Sequence, residues 1–262
     1  CIMDRVGIRE RRTVLDIEYI RLSRNGEPSK ANAASLHTNA EMARLAAQPL
    51  LDRSGIQPSD IGLVISGGCC PQQITPTEAC TMSASIGVQA PSIDVNSACS
   101  SFVAALHFLA SMKAECLPKY ILLINSENMT RTVDYRDRST AVLWGDATTA
   151  TLITADPEVA RKSYGNVLRV KYTELESDPS GWDKVQVPLG RHFIQNGAQV
   201  QNFAVRKTLS TFDSLQSKAR DFQSLKFIGH QANLNMLRTV CERAGITPDR
   251  HFYNVDQYGN TG

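Results

Sequence analysis

Three side chains of this sequence could together form a nucleophilic site: Cys99 in "DVNSACSSF", His230 in "FIGHQAN" and Asn260 in "QYGNTG". A cysteine thiolate attacks carbonyl carbon. A neutral imidazole can move a proton, and an amide offers a hydrogen bond without adding charge. Each has a plainer reading on its own. Free cysteine is commonly a small buried hydrophobe, a lone histidine commonly a structural hydrogen bonder, and Asn beside Gly usually a turn. The combination is more specific than its members, because each residue falls at the end of an expected strand, where α/β proteins place their chemistry.

The elements around them are legible from periodicity. A helical pattern over about 39–53 ends at Gly55 and leads through "IQPSD" into the strand "IGLVISG". There follow a helix at about 76–86, a strand at 92–95, a helix from Cys99 to about Ala114 and the strand "YILLINSEN". The segments "STAVLWGDATTATLI" and "NVLRVKYTEL" read as β-rich. Beyond them a long helix is expected from Gly197 to about Ala219, then the strand "LKFIG", a helix at 233–244 and the strand-like "HFYNV". Alternating β and α implies a layered, largely parallel sheet. Residues 21–35, "RLSRNGEPSKANAAS", read as a long surface loop. The stretch "DRSGIQPSDIGLVI" is echoed by "ERAGITPDRHFYNV", which raises two similar halves as one explanation and chance as the other. On this placement Cys99 stands at a helix N-terminus, which predicts a lowered thiol pKa and the most reactive thiol of the chain.

Composition narrows the class. The 262 residues are 42% hydrophobic and 21% charged, as in an ordinary globular protein. The 28 basic and 26 acidic residues are scattered, so no nucleic-acid surface and no polybasic membrane anchor is expected. The longest apolar runs are strand-sized, too short for a membrane span. Seven cysteines without C-x-x-C pairs predict neither a disulfide framework nor a metal site, but reduced thiols in a cytoplasmic protein. A start on Cys1 and a stop at "YGNTG" suggest that both ends are missing.

The pieces "RVGIRERR", "DVNSACSSF", "DRSTAVLWGD", "GRHFIQNGAQVQNFAV", "GHQAN" and "YGNTG", in this order, resemble the β-ketoacyl-acyl-carrier-protein synthase III family of the thiolase superfamily. The resemblance implies an α/β thiolase-like fold of duplicated βαβαβαββ halves in a layered α-β-α-β-α sandwich, here residues 1–155 with the cysteine and 156–262 with His230 and Asn260. It implies that Cys99 is acylated by a thioester and that His230 and Asn260 act during decarboxylative condensation. No metal and no redox cofactor is implied, only coenzyme A or phosphopantetheine thioesters as substrates. Arg5 and Arg138 match arginines that flank coenzyme A, with solvated surface charge as the alternative for Arg5. Asn233 matches a polar residue of the pantetheine channel. The implied partners are acyl-CoA, a dedicated acyl carrier protein and a second copy in a homodimer, with segment 67–81 reaching toward the partner's pocket.

The sequence also departs from the family. "GDATTA" stands where "GDGAGA" is usual, placing Ala147 and Thr149 at two glycine positions. Asn202 and Asn235 stand where basic residues would meet a carrier protein. These departures favour a specialised fatty-acid or polyketide-type pathway. Two rival readings stay open: an acyltransferase passing the Cys99 acyl group to a hydroxyl or amine, and a non-catalytic partner subunit of a heterodimeric synthase.

Overall fold

The computed structural model describes residues 2–162, 167–218 and 221–262. The chain divides into two compact units. One comprises Leu36–Asn128, Ala147–Ser177 and Gly262; the other comprises residues up to Ser35, Met129–Asp146 and Asp178–Thr261.

The first unit is built on a four-stranded sheet of β1 (Leu63–Gly67), β2 (Ser92–Val95), β3 (Ile121–Glu127) and β4 (Ala147–Ile153), in the order β2-β1-β3-β4. β1 runs parallel to both β2 and β3, while β4 is antiparallel to β3. Alternation along the strands assigns their faces. Val64, Leu122 and Ile124 pack with Ala43, Ala47 and Leu51 and with Ala79 and Met82. These belong to the helices spanning Asn39–Ser54 and Glu78–Ile86. Ile65, Ile121 and Leu123 pack on the other face, with Ala105 and Leu109 of the helix Ser101–Ser111. Asp94 of β2 accepts the Glu78 and Ala79 backbone N–H groups at 2.9 Å, so a carboxylate sits where the first turn of Glu78–Ile86 leaves donors unpaired.

In chain order the helices are α1 (Ile2–Val6), α2 (Ile17–Ser23), α3 (Asn39–Ser54), α4 (Glu78–Ile86), α5 (Ser101–Ser111), α6 (Pro157–Lys162), α7 (Gly197–Lys218), α8 (Leu234–Ala244) and α9 (Val255–Tyr258). The second unit holds a two-stranded ribbon, β5 (Val185–Gln186) with β6 (Ile194–Gln195), and the pair α7 and α8, whose Val205, Met236 and Val240 share a core. Residue 219, the expected end of the long helix, lies outside the described residues.

Several expectations need correction. The helix after Cys99 begins two residues later and stops at Ser111, because Ser100 and Ser101 are used in the preceding turn. Segment 21–35 is an ordered structure, not a plain loop: it includes the end of α2, and buried Asn25 donates to the Arg131 and Val133 carbonyls, both at 2.9 Å. Residues 167–175 form no strand. "LKFIG" and "HFYNV" meet only in a single bridge, Phe227 to His251. The Arg250 guanidinium takes the carbonyls of Leu225 and Phe222, at 2.9 and 2.7 Å, which a neighbouring strand would otherwise bond.

Candidate active site

Cys99 lies between β2 and α5, in a turn knitted by serines. Ser101 Oγ accepts the Ser97 N–H at 2.9 Å and donates to the Ala98 carbonyl at 2.7 Å, while Ser100 Oγ donates to the Ser97 carbonyl at 2.7 Å. Ala98 is forced to φ +46°, a left-handed conformation costing a non-glycine residue roughly 1–2 kcal/mol. The hydroxyl bonds offset that strain and project the next side chain outward. Cys99 is exposed, and among the described residues its N–H meets no acceptor other than its own sulfur. This is the geometry of an accessible nucleophile next to an open donor for an oxyanion.

The expected low thiol pKa is not found. Although part of Cys99 faces solvent, protein around the sulfur desolvates it. With the Glu127 carboxylate adding to the effect, the thiol pKa is pushed up to about 11. Desolvation and a nearby negative charge both disfavour a thiolate, and here they outweigh the stabilisation by the backbone N–H. Glu127 ends β3 and is only 5% exposed. Its Oε1 accepts the Cys69 N–H at 3.0 Å, and the Cys69 thiol lies 3.8 Å from Oε2. Burial raises the Cys69 thiol as well, with Glu127 the next cause. The sequence reading passed over Glu127, although an acid closing the apolar run "ILLIN" was a signal.

In the other unit, His230 follows the Phe227 bridge, and Ala232 donates to its carbonyl at 2.8 Å. The ring is partly open to solvent but sufficiently surrounded for desolvation to hold its pKa below the usual histidine value. At neutral pH it is the uncharged imidazole. Asn260 is 5% exposed, and its backbone is clamped to residues 143–145: its N–H donates to Leu143 at 2.8 Å and its carbonyl accepts from Gly145 at 2.9 Å. Asn233 caps α8, its Oδ1 accepting the Met236 N–H at 2.7 Å. Asn235 is not an empty rim position, since its amide donates to the Asp4 and Arg5 carbonyls at 3.0 and 2.7 Å and ties α1 to α8. Arg5 and Arg138 are exposed and form no ion pair among the described residues. Thus Arg5, Arg138, His230, Asn233 and Asn260 belong to the second unit and Cys99 to the first.

Among the described residues no group of three or more His, Cys, Asp or Glu could hold a metal ion, and no helix is long and apolar enough to cross a membrane. The six cysteines among them are free.

Residues 93–171 match the family 3-oxoacyl-[acyl-carrier-protein] synthase III, and residues 219–262 match its C-terminal family. The β-ketoacyl-[acyl-carrier-protein] synthase III of Coxiella burnetii (strain RSA 493 / Nine Mile phase I) is 30% identical over 99% of this chain and 76% of its own. The chain belongs to this family. The same enzyme of Xylella fastidiosa (strain 9a5c) is 31% identical over 93% of this chain and 76% of its own. The crystal structure of 3-oxoacyl-[acyl-carrier-protein] synthase III from Aquifex aeolicus VF5 superimposes with a TM-score of 0.79 at 25% identity, covering 99% of this chain and 76% of that one. The chain is therefore a thiolase-like acyltransferase of the acyl-thioester condensing type.

Proposed function

We propose that Cys99 takes an acyl group from acyl-CoA and passes it to a decarboxylating malonyl-type extender. The observation that supports this most directly is the exposed Cys99 on its strained, serine-knitted turn at the C-terminal edge of the sheet, with an unused backbone N–H beside it.

In the first step the Cys99 sulfur bonds to the thioester carbonyl, and the coenzyme A thiol leaves with the proton that Cys99 gives up. In the second the extender loses CO₂, and its carbanion attacks the Cys99 thioester to give a β-ketoacyl thioester and the Cys99 thiolate, which takes a proton from solvent to regenerate the thiol. His230 and Asn260 are the donors to the enolate oxygen, a role suited to an imidazole that burial keeps neutral. The unpaired Arg5 and Arg138 hold the phosphates of coenzyme A, and Asn233 lends its remaining amide group to the pantetheine arm. The sequence is redox-neutral, and protein groups supply every donor it needs.

The enzyme works as a homodimer, in a specialised fatty-acid or polyketide-type pathway. Intact-protein mass spectrometry after incubation with a panel of acyl-CoAs tests the reading. One acyl group should appear on the wild type and none on Cys99→Ala. Asn260→Ala should load normally but fail to decarboxylate the extender. Loading on any other residue overturns the assignment.

A further inference from the structure

We propose that Glu127 is a positioning residue for Cys99, a fixed negative group on a strand end two places across the sheet that governs when the thiol reacts. The inference rests on the nucleophile reading above and deepens it.

The sheet register brings the groups together. Gly67 of β1 pairs with Val95 of β2 on one side and with Asn125 of β3 on the other. β1 ends at Gly67 and β2 at Val95, so the loop with Cys69 and the turn from Ser97 to Cys99 both leave the C-terminal edge at which Glu127 ends β3. Glu127 begins two strand spacings, about 10 Å, from the nucleophile turn. Its side chain covers part of that distance by leaning across the end of β1, where Oε1 meets the Cys69 N–H at 3.0 Å. Gly68 makes the approach possible, since a Cβ there would stand 3.1 Å from Oε1. On another side, a Cβ on Gly262 would meet Glu127 Cδ at 2.9 Å, so backbone packs closely against the carboxylate stem.

The carboxylate is thus buried and engaged at both oxygens by Cys69, Oε1 by its N–H and Oε2 by its thiol, at the sheet edge that also carries the Cys99 turn. It is the charged group that acts on the Cys99 sulfur, and the Cys69 thiol, from the loop after β1, is the titratable group that meets it. Such a group keeps the resting nucleophile protonated, so that attack becomes favourable only when a bound thioester supplies a leaving thiolate to receive the proton.

The test is the pH profile of Cys99 carbamidomethylation by iodoacetamide, read by peptide mass spectrometry from pH 7 to 11.5, in wild type, Glu127→Gln and Glu127→Asp. Removing the charge should lower the midpoint and speed labelling at pH 8 by about three- to tenfold. The shorter aspartate should move the midpoint less, in the same direction. A merely structural role would change the rate equally at every pH and leave the midpoint in place. An unmoved midpoint in folded Glu127→Gln overturns the proposal, as does an unmoved midpoint in Glu127→Asp where the glutamine variant does not fold. A moved midpoint in a protein that takes no acyl group from any acyl-CoA would leave the Glu127–Cys99 pairing standing and overturn the nucleophile reading instead.

Discussion

Glu127 Oε1 accepts the Cys69 backbone N–H at 3.0 Å, one strand away from the turn that carries Cys99. A loop amide, a buried acid and an accessible thiol thereby share the edge at which the three parallel strands of the sheet end. The consequence for reactivity runs against the simple expectation from a helix N-terminus, and it can be measured.

With the Cys99 thiol pushed up to about 11, its reactive thiolate is about one part in a thousand at pH 8. A raised pKa means the neutral form persists through physiological pH and the thiolate fraction climbs roughly tenfold per pH unit. Cys99 alkylation in the wild type should rise along that slope from pH 7 to 10 and flatten only near the raised pKa. A plateau already reached at pH 8 would show that the helix terminus dominates over desolvation and Glu127.

The nucleophile turn should be sensitive to backbone changes of a predictable sign. Ala98 holds φ +46°, so Ala98→Gly should be neutral or stabilising by up to about 1 kcal/mol, whereas Ala98→Val should cost more than that and slow acyl loading. Ser101→Ala removes both bonds that Ser101 makes within the turn and should cost about 1–3 kcal/mol, since the site is buried. Thermal melts give the stabilities. Equal melting of the glycine and valine variants would mean that the strain is relieved elsewhere.

Much of this arrangement was legible in the sequence, and the rest was hidden for physical reasons. The run of small polar residues around Cys99 announces a tight turn, and the alternating strands place it at a sheet edge. The helix start was misplaced by two residues because Ser100 and Ser101 bond within the turn before the helix begins. Asn233 read as a channel-lining residue and Asn235 as a docking position without its cation; Asn233 also caps α8, and Asn235 holds α1 by its carbonyls, and no local pattern reveals a partner some 230 positions away. "LKFIG" has strand composition, yet the Arg250 guanidinium occupies its carbonyls. Glu127 was passed over because an acid at a strand end ordinarily faces water; only the register of β1 against β3 turns it inward.

The sheet also predicts an assembly. β2 is an edge strand, its Ile93 is exposed, and Phe102, Val103 and Phe108 of α5 are exposed as well. An unpaired parallel edge flanked by apolar side chains suits a second copy related by a twofold axis. Sedimentation at micromolar concentration should give a dimer, and Val103→Asp should shift it toward monomer. A wild type that sediments as a monomer contradicts the expectation.

The last prediction concerns who delivers the primer. Acyl carrier proteins dock through an acidic helix, so an enzyme that uses them gains on-rate from cations at its entrance. Here Asn202 is exposed on α7, and the Asn235 amide is already committed to the α1 carbonyls. Yet Asn202 lines a groove of about 440 Å³ between α7 and α8 together with Arg206 and Arg243, and Asp213 in the same groove offsets part of their charge. Each exposed pair lost at such a rim is worth on the order of 0.2–1 kcal/mol, so two lost pairs outweigh what the partly neutralised arginines restore. Coenzyme A thioesters should therefore be better primers than the same acyl groups on a generic carrier protein, by several-fold in kcat/KM. The measurement compares matched primers at two ionic strengths. A carrier-bound primer whose advantage collapses with salt, and collapses further in Arg206→Ala or Arg243→Ala, would show that the two arginines suffice to dock a carrier and would overturn the expected preference.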